Sequence, residues 1–127
     1  MPHPGAYALV LLLALELAVW ECFLITARPF GYPVPVAPAL ALAANVLLAR
    51  AAARAAGTAR GAVGPAVVWL GVVMVFALPG PLGDVVVPGN ARGVVFLVIG
   101  MLSAVGAVSL SGTKRASRTT PAPQTGR

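Results

Sequence analysis

Residues 6–27 read AYALVLLLALELAVWECFLITA, an apolar run that contains no Lys or Arg and is interrupted only by Glu16 and Glu21. A helix of about 20 apolar residues is long enough to cross the hydrocarbon core of a bilayer, which is about 30 Å thick. The run is also longer than the apolar core of a signal peptide, which has about 7 to 15 residues. It therefore predicts a retained membrane-spanning helix with Glu16 near mid-membrane.

The composition of the whole chain points to lipid as its solvent. Of the 127 residues, 59% are hydrophobic and 9% are charged, whereas soluble domains have about 25% charged residues. We expect an all-α fold, a membrane-embedded four-helix bundle, with helices at about 6–27, 36–56, 62–78 and 93–110. Residues 111–127, SGTKRASRTTPAPQTGR, contain almost no bulky apolar side chains, which predicts a disordered basic cytoplasmic tail.

The distribution of Lys and Arg predicts how the bundle is oriented. If four spans alternate, one side of the membrane has only Arg28 and Arg92. The other side has the remaining seven basic residues: Arg50, Arg54, Arg60, Lys114, Arg115, Arg118 and Arg127. Because the side rich in Lys and Arg is cytoplasmic, we expect a multi-pass protein of the plasma membrane with both termini in the cytoplasm.

One face of the first helix is predicted to look into the bundle. Ala14, Ala18, Glu21 and Arg28 recur along it at a spacing of about 3.5 residues. Small residues allow close approach of a neighbouring helix, so Glu21 is expected in the interior. Its predicted partner is Arg28 on the same face or Arg92 from the other outer connection, in a structural ion pair.

Glu16 is a separate candidate, because it points about 140° away from Glu21 around the helix. It is expected to face another groove of the bundle or an oligomer interface. Two interpretations stay open. The carboxyl is either a neutral acid bonded to a neighbouring backbone or to Ser103, or a proton-titrating transport site, since ionisable groups at mid-membrane are often functional.

The remaining polar and small residues indicate helix packing. Asn45 in the second span is expected to bond a neighbouring helix, and Gly100 with Ala104 forms a small-xxx-small pair in the fourth. With one Cys and one His, the chain offers no catalytic or metal-ligating constellation. We therefore expect a protein that is not an enzyme and that has no cofactor and no metal.

Two resemblances accompany this interpretation. The four short spans and the glutamate midway along the first resemble the small multidrug resistance transporters. That resemblance implies that Glu16 couples proton exchange and that Trp69 faces the substrate. Residues 7–110 also look like uncharacterised four-span membrane proteins of high-GC actinobacteria, in the Val-Trp-Leu of the third span and in the segment GDVVVPGN.

The function we predict is that of a structural or accessory subunit. Its expected partners are the lipid bilayer and either a second membrane protein or further copies of this chain. Nucleic acid is not expected, because the basic residues flank the apolar runs as topology markers. The alternative is a small proton-coupled transporter that uses Glu16.

Overall fold

Four α-helices make up most of the described part of the chain. A computed structural model describes residues 1–27, 31 and 35–116, with side chains as far as residue 112. The helices are α1 (Pro4–Leu24), α2 (Val36–Ala56), α3 (Val63–Ala77) and α4 (Ala91–Ala116), with a short 3-10 turn at Ala59–Ala62 before α3. No strand occurs among these residues. The predicted all-α four-helix bundle is confirmed.

α2 contacts all three other helices. It packs most extensively against α1 and α4, and α1 also packs against α3. α3 packs less against α4 than against α1 or α2. α2 can approach two neighbours closely because most of the side chains it buries are alanines: Ala37, Ala41, Ala44, Ala49, Ala52 and Ala55.

Hydrogen bonds at the two ends of the bundle show which connections lie together, with consecutive helices running in opposite directions. At one end, the His3 N–H donates to the Ala55 carbonyl at 2.7 Å, and the Tyr7 hydroxyl donates to the Gly61 carbonyl at 3.3 Å. At the other end, the Val87 N–H donates to the Phe76 carbonyl at 3.1 Å. The N-terminus and residues 57–62 therefore share one end, and the connection between α3 and α4 lies at the opposite end.

All four helical segments are long and apolar enough to cross a membrane: Pro4–Leu24, Val36–Ala56, Ala59–Ala77 and Ala91–Gly112. Large apolar side chains such as Leu9, Leu47, Val67 and Leu102 are more than 60% exposed on the outside of the bundle. Lipid is the solvent that such a surface requires. The chain is a multi-pass integral membrane protein.

The last helix differs from its predicted end at residue 110. α4 continues to Ala116, six residues into the segment predicted as a disordered tail. Ser109 and Ser111 lie within this helix, and their hydroxyls donate to the Val105 and Ala107 carbonyls one turn earlier. The rest of the predicted tail, residues 117–127, lies outside the described residues.

Candidate functional site

The interior of the bundle contains a buried carboxyl group that is bonded to a tryptophan. Glu21 of α1 has no exposed surface, and its Oε2 accepts a hydrogen bond from the Trp69 Nε1–H of α3 at 2.7 Å. In the part of the chain that the structure describes, Oε1 has no hydrogen-bond partner. The pair joins α1 to α3 within the main apolar cluster, which also contains Cys22 and Phe96.

The Trp69 ring is held in place from several sides. It lies 5.7 Å from the Phe96 ring, between centroids, and directly against Gly100 of α4. A methyl group added at Gly100 would overlap the six-membered ring of the indole. The indole therefore needs the glycine in order to reach Glu21.

Of the two partners predicted for Glu21, the described residues include only Arg92. Arg92 is exposed at the start of α4 and makes no described ion pair with Glu21, whose described partner is Trp69. Arg28 lies outside the described residues. A buried indole N–H needs an acceptor. Trp69 is the only tryptophan of α3, so the sequence already contained a donor that could pair with Glu21.

Glu16 lies on the outer surface of α1. Its side chain is exposed, and so are those of the residues around it on the same face, Leu9, Leu12, Leu13 and Trp20, at 63%, 60%, 51% and 59%. We call these five residues the Glu16 face. Glu16 is the thirteenth of the 21 residues of α1, about 3 Å from the helix midpoint. Its carboxyl group is therefore presented outward near mid-membrane.

The proposed bond between Glu16 and Ser103 is not formed. Ser103 instead donates to the Gly100 carbonyl at 2.8 Å and accepts from the Asn45 Nδ2 at 3.0 Å. Asn45 also donates to the Gly100 carbonyl at 3.2 Å. This network is buried and joins α2 to α4. The buried Ser103 hydroxyl thus bonds to groups of α4 and α2, and it does not bond to the Glu16 carboxyl on the outside of α1.

The small residues that were expected at helix contacts are in the interior. Ala14 and Ala18 of α1 are 2% and 0% exposed, and Ala104 of α4 is 8% exposed. Among the described residues, no three His, Cys, Asp or Glu side chains come together in a way that could hold a metal ion. The acidic groups of α1 thus occupy two different environments, one inside the bundle and one outside it.

Comparisons with protein-family models, with curated proteins and with solved structures find no match to this chain. The residues of the site are therefore the basis for any functional conclusion. It belongs to a four-helix, multi-pass membrane protein that carries one buried and one outward-facing glutamate in its first span.

Proposed function

We propose that this chain is a structural or accessory subunit of the plasma membrane, which packs with itself or with another membrane protein through the Glu16 face. Both termini are cytoplasmic in this proposal, and the chain has no catalytic role. The observation that carries the proposal is the exposed carboxyl group of Glu16 near the middle of α1.

The cost of leaving this group in lipid supports a protein partner. A charged carboxylate at the centre of a membrane helix costs about 2.5 to 3.5 kcal/mol on insertion scales. The exposed leucines of this face cannot donate a hydrogen bond. Trp20, the one member of the face with an N–H, makes no hydrogen bond to Glu16 among the described residues. A second helix packed on this face would remove the carboxyl from lipid and supply a hydrogen-bond partner.

The interior polar groups support the same proposal, because they already serve packing. Asn45 and Ser103 bond to each other and to Gly100, and Glu21 bonds to Trp69. The bonds of Asn45 join α2 to α4 and the bond of Glu21 joins α1 to α3, whereas the bond from Ser103 to Gly100 lies within α4. Glu16 differs from them in lying on the outside, where only a neighbouring molecule can use it in the same way.

The proposal is tested by the mass of the assembly in native membranes. The tagged protein is extracted directly into polymer-bounded nanodiscs, and its oligomeric mass and co-purifying proteins are measured. We expect Glu16→Leu to lose the partner, whether this is a second copy or another protein. Glu16→Gln should keep it, because an amide also forms hydrogen bonds across helices.

Leu47→Ala is the matched control, because Leu47 is 64% exposed on α2 and outside the Glu16 face. It should leave the assembly unchanged. A wild-type protein that is extracted alone and monomeric would overturn the proposal. So would an assembly that Glu16→Leu leaves intact or that Leu47→Ala disrupts equally.

A second candidate function, proton-coupled transport, uses the same carboxyl. The exposure of Glu16 favours it, because a titrating group must be reachable from outside the packed core. Trp69 is 2% exposed and bonded to Glu21, so in a single bundle it does not share a surface with Glu16. Transport would therefore need a site formed between copies.

Reconstituted liposomes separate the two functions. In the transport case, wild type carries a proton flux that depends on added organic cations, and Glu16→Gln abolishes this flux while the assembly stays intact. In the subunit case, wild type and Glu16→Gln both show no cation-dependent flux and both assemble.

A further inference from the structure

A cavity between α2 and α4 combines two arginines with apolar walls. It has a volume of about 200 Å³ and lies near the end of the bundle that holds residues 57–62. Its lining includes the exposed arginines of α2 and side chains from both helices: Val46, Arg50, Arg54, Ala107, Leu110 and Ser111.

The positive charge in this cavity has no acidic side chain opposite it. The chain has three acids: Glu16 and Glu21 belong to α1, and Asp84 lies in the connection between α3 and α4. None of them lines the cavity. Arg50 and Arg54 stand one helical turn apart, so both guanidinium groups can reach one ligand.

The hydrogen-bond donors of the cavity indicate which chemical class of ligand it can bind. Guanidinium groups bind phosphate oxygens through paired, charge-assisted hydrogen bonds. The Ser111 hydroxyl already donates to the Ala107 carbonyl at 2.8 Å, so it offers no free proton to an anion. The arginines are therefore the groups that would hold a phosphate.

The position of the cavity along α2 adds a second requirement. Arg50 is the first charged residue after the apolar part of α2, and Val46 lies one turn further into the span. The opening of the cavity is thus charged, and its deeper wall, with Val46 and Ala107, is apolar. A ligand that matches both parts has an anionic head joined to a hydrocarbon chain.

We propose that this cavity binds the phosphate of an anionic phospholipid. Arg50 and Arg54 hold the phosphate oxygens, and the apolar wall packs against the beginning of an acyl chain. Basic pockets between membrane helices at the cytoplasmic surface bind such headgroups in general. The proposal concerns α2 and α4 only, and it does not depend on the Glu16 face.

Native mass spectrometry of the purified full-length chain tests this site. The protein is exchanged into nanodiscs of phosphatidylcholine with phosphatidylglycerol, released into detergent, and scored for retained phosphatidylglycerol. We expect Arg50→Gln and Arg54→Gln each to lower retention about tenfold, as the loss of a charge-assisted hydrogen bond implies. Arg54→Lys should lower it less, because the charge remains.

Arg60→Gln is the matched control, because Arg60 is exposed near the same end but does not line the cavity. It removes the same charge and should retain phosphatidylglycerol as wild type does. Equal losses in all three Gln variants would indicate attraction to the whole surface and overturn the site. No loss in any variant would also overturn it. Release of the lipid by millimolar inorganic phosphate would assign the cavity to the free anion instead of the lipid.

Discussion

Glu21 and Trp69 show how a carboxyl group is accommodated inside an apolar bundle. The sequence predicted the environment of Glu21, because its spacing with Ala14 and Ala18 places all three on one face, and all three are buried. Its partner was not predicted. The charge pattern favoured arginine, whereas the structure uses the indole N–H at 2.7 Å. A neutral donor from an adjacent helix avoids burying a second charge.

The hydrogen bond from Trp69 is expected to stabilise the bundle. Trp69→Phe removes the donor and leaves both oxygens of Glu21 without a partner among the described residues, which should lower the free energy of unfolding by about 1 to 3 kcal/mol. Adding Glu21→Met should recover part of this loss, because the unpaired buried oxygens are then gone. Circular dichroism during titration with sodium dodecyl sulfate measures both changes. A double variant that is no more stable than Trp69→Phe would contradict the argument.

Gly100 is expected to resist replacement even by alanine. A Cβ at this position would overlap the Trp69 ring, which is itself held by Glu21. Gly100→Ala should therefore cost about 1 to 3 kcal/mol of stability in the same titration. Gly106→Ala is the control, since a Cβ there meets no atom within 4 Å. It should be neutral or stabilising by up to about 1 kcal/mol, as the helix propensity of alanine implies.

At the scale of elements, α2 is the helix that organises the bundle. Its buried alanines allow close packing, and the structure places it against both α1 and α4. Which helices pack against each other could not be predicted, because small residues allow close contact with any neighbouring helix. The helical end of α4 was missed because residues 111–116 lack bulky apolar side chains, which predicted disorder, whereas the helix continues to Ala116.

The polar link between α2 and α4 should have a measurable but small energy. Asn45→Ala and Ser103→Ala, alone and together, form a double-mutant cycle across the 3.0 Å bond. We expect a coupling energy of about 0.6 kcal/mol and at most about 1.7 kcal/mol, as is usual for hydrogen bonds between membrane helices. Ser109→Ala, which removes a bond within α4 only, should show no coupling to Asn45→Ala. Additive losses for Asn45 and Ser103 would contradict the link.

At the scale of the whole molecule, the structure shows how the helices are arranged, whereas the charge pattern predicts how they are oriented in the membrane. The helical class followed from the apolar runs and is confirmed, and the hydrogen bonds at the two ends establish which connections lie together. Neither of these determines which end faces the cytoplasm. That depends on the seven basic residues against two, because positively charged flanks resist translocation across the membrane. Orientation therefore stays a prediction from sequence.

Single cysteines placed at opposite ends of the bundle test the orientation. Leu82 is 94% exposed in the connection between α3 and α4, and Thr58 is exposed at the other end. Neither substitution adds or removes a charged residue, so neither alters the Lys and Arg distribution that predicts the orientation. A maleimide that cannot cross membranes should label Leu82→Cys in intact cells and Thr58→Cys only after permeabilisation. Buried Cys22 provides the unlabelled background. The reverse pattern would place both termini outside, and labelling of both sites in intact cells would indicate that the chain inserts in two orientations.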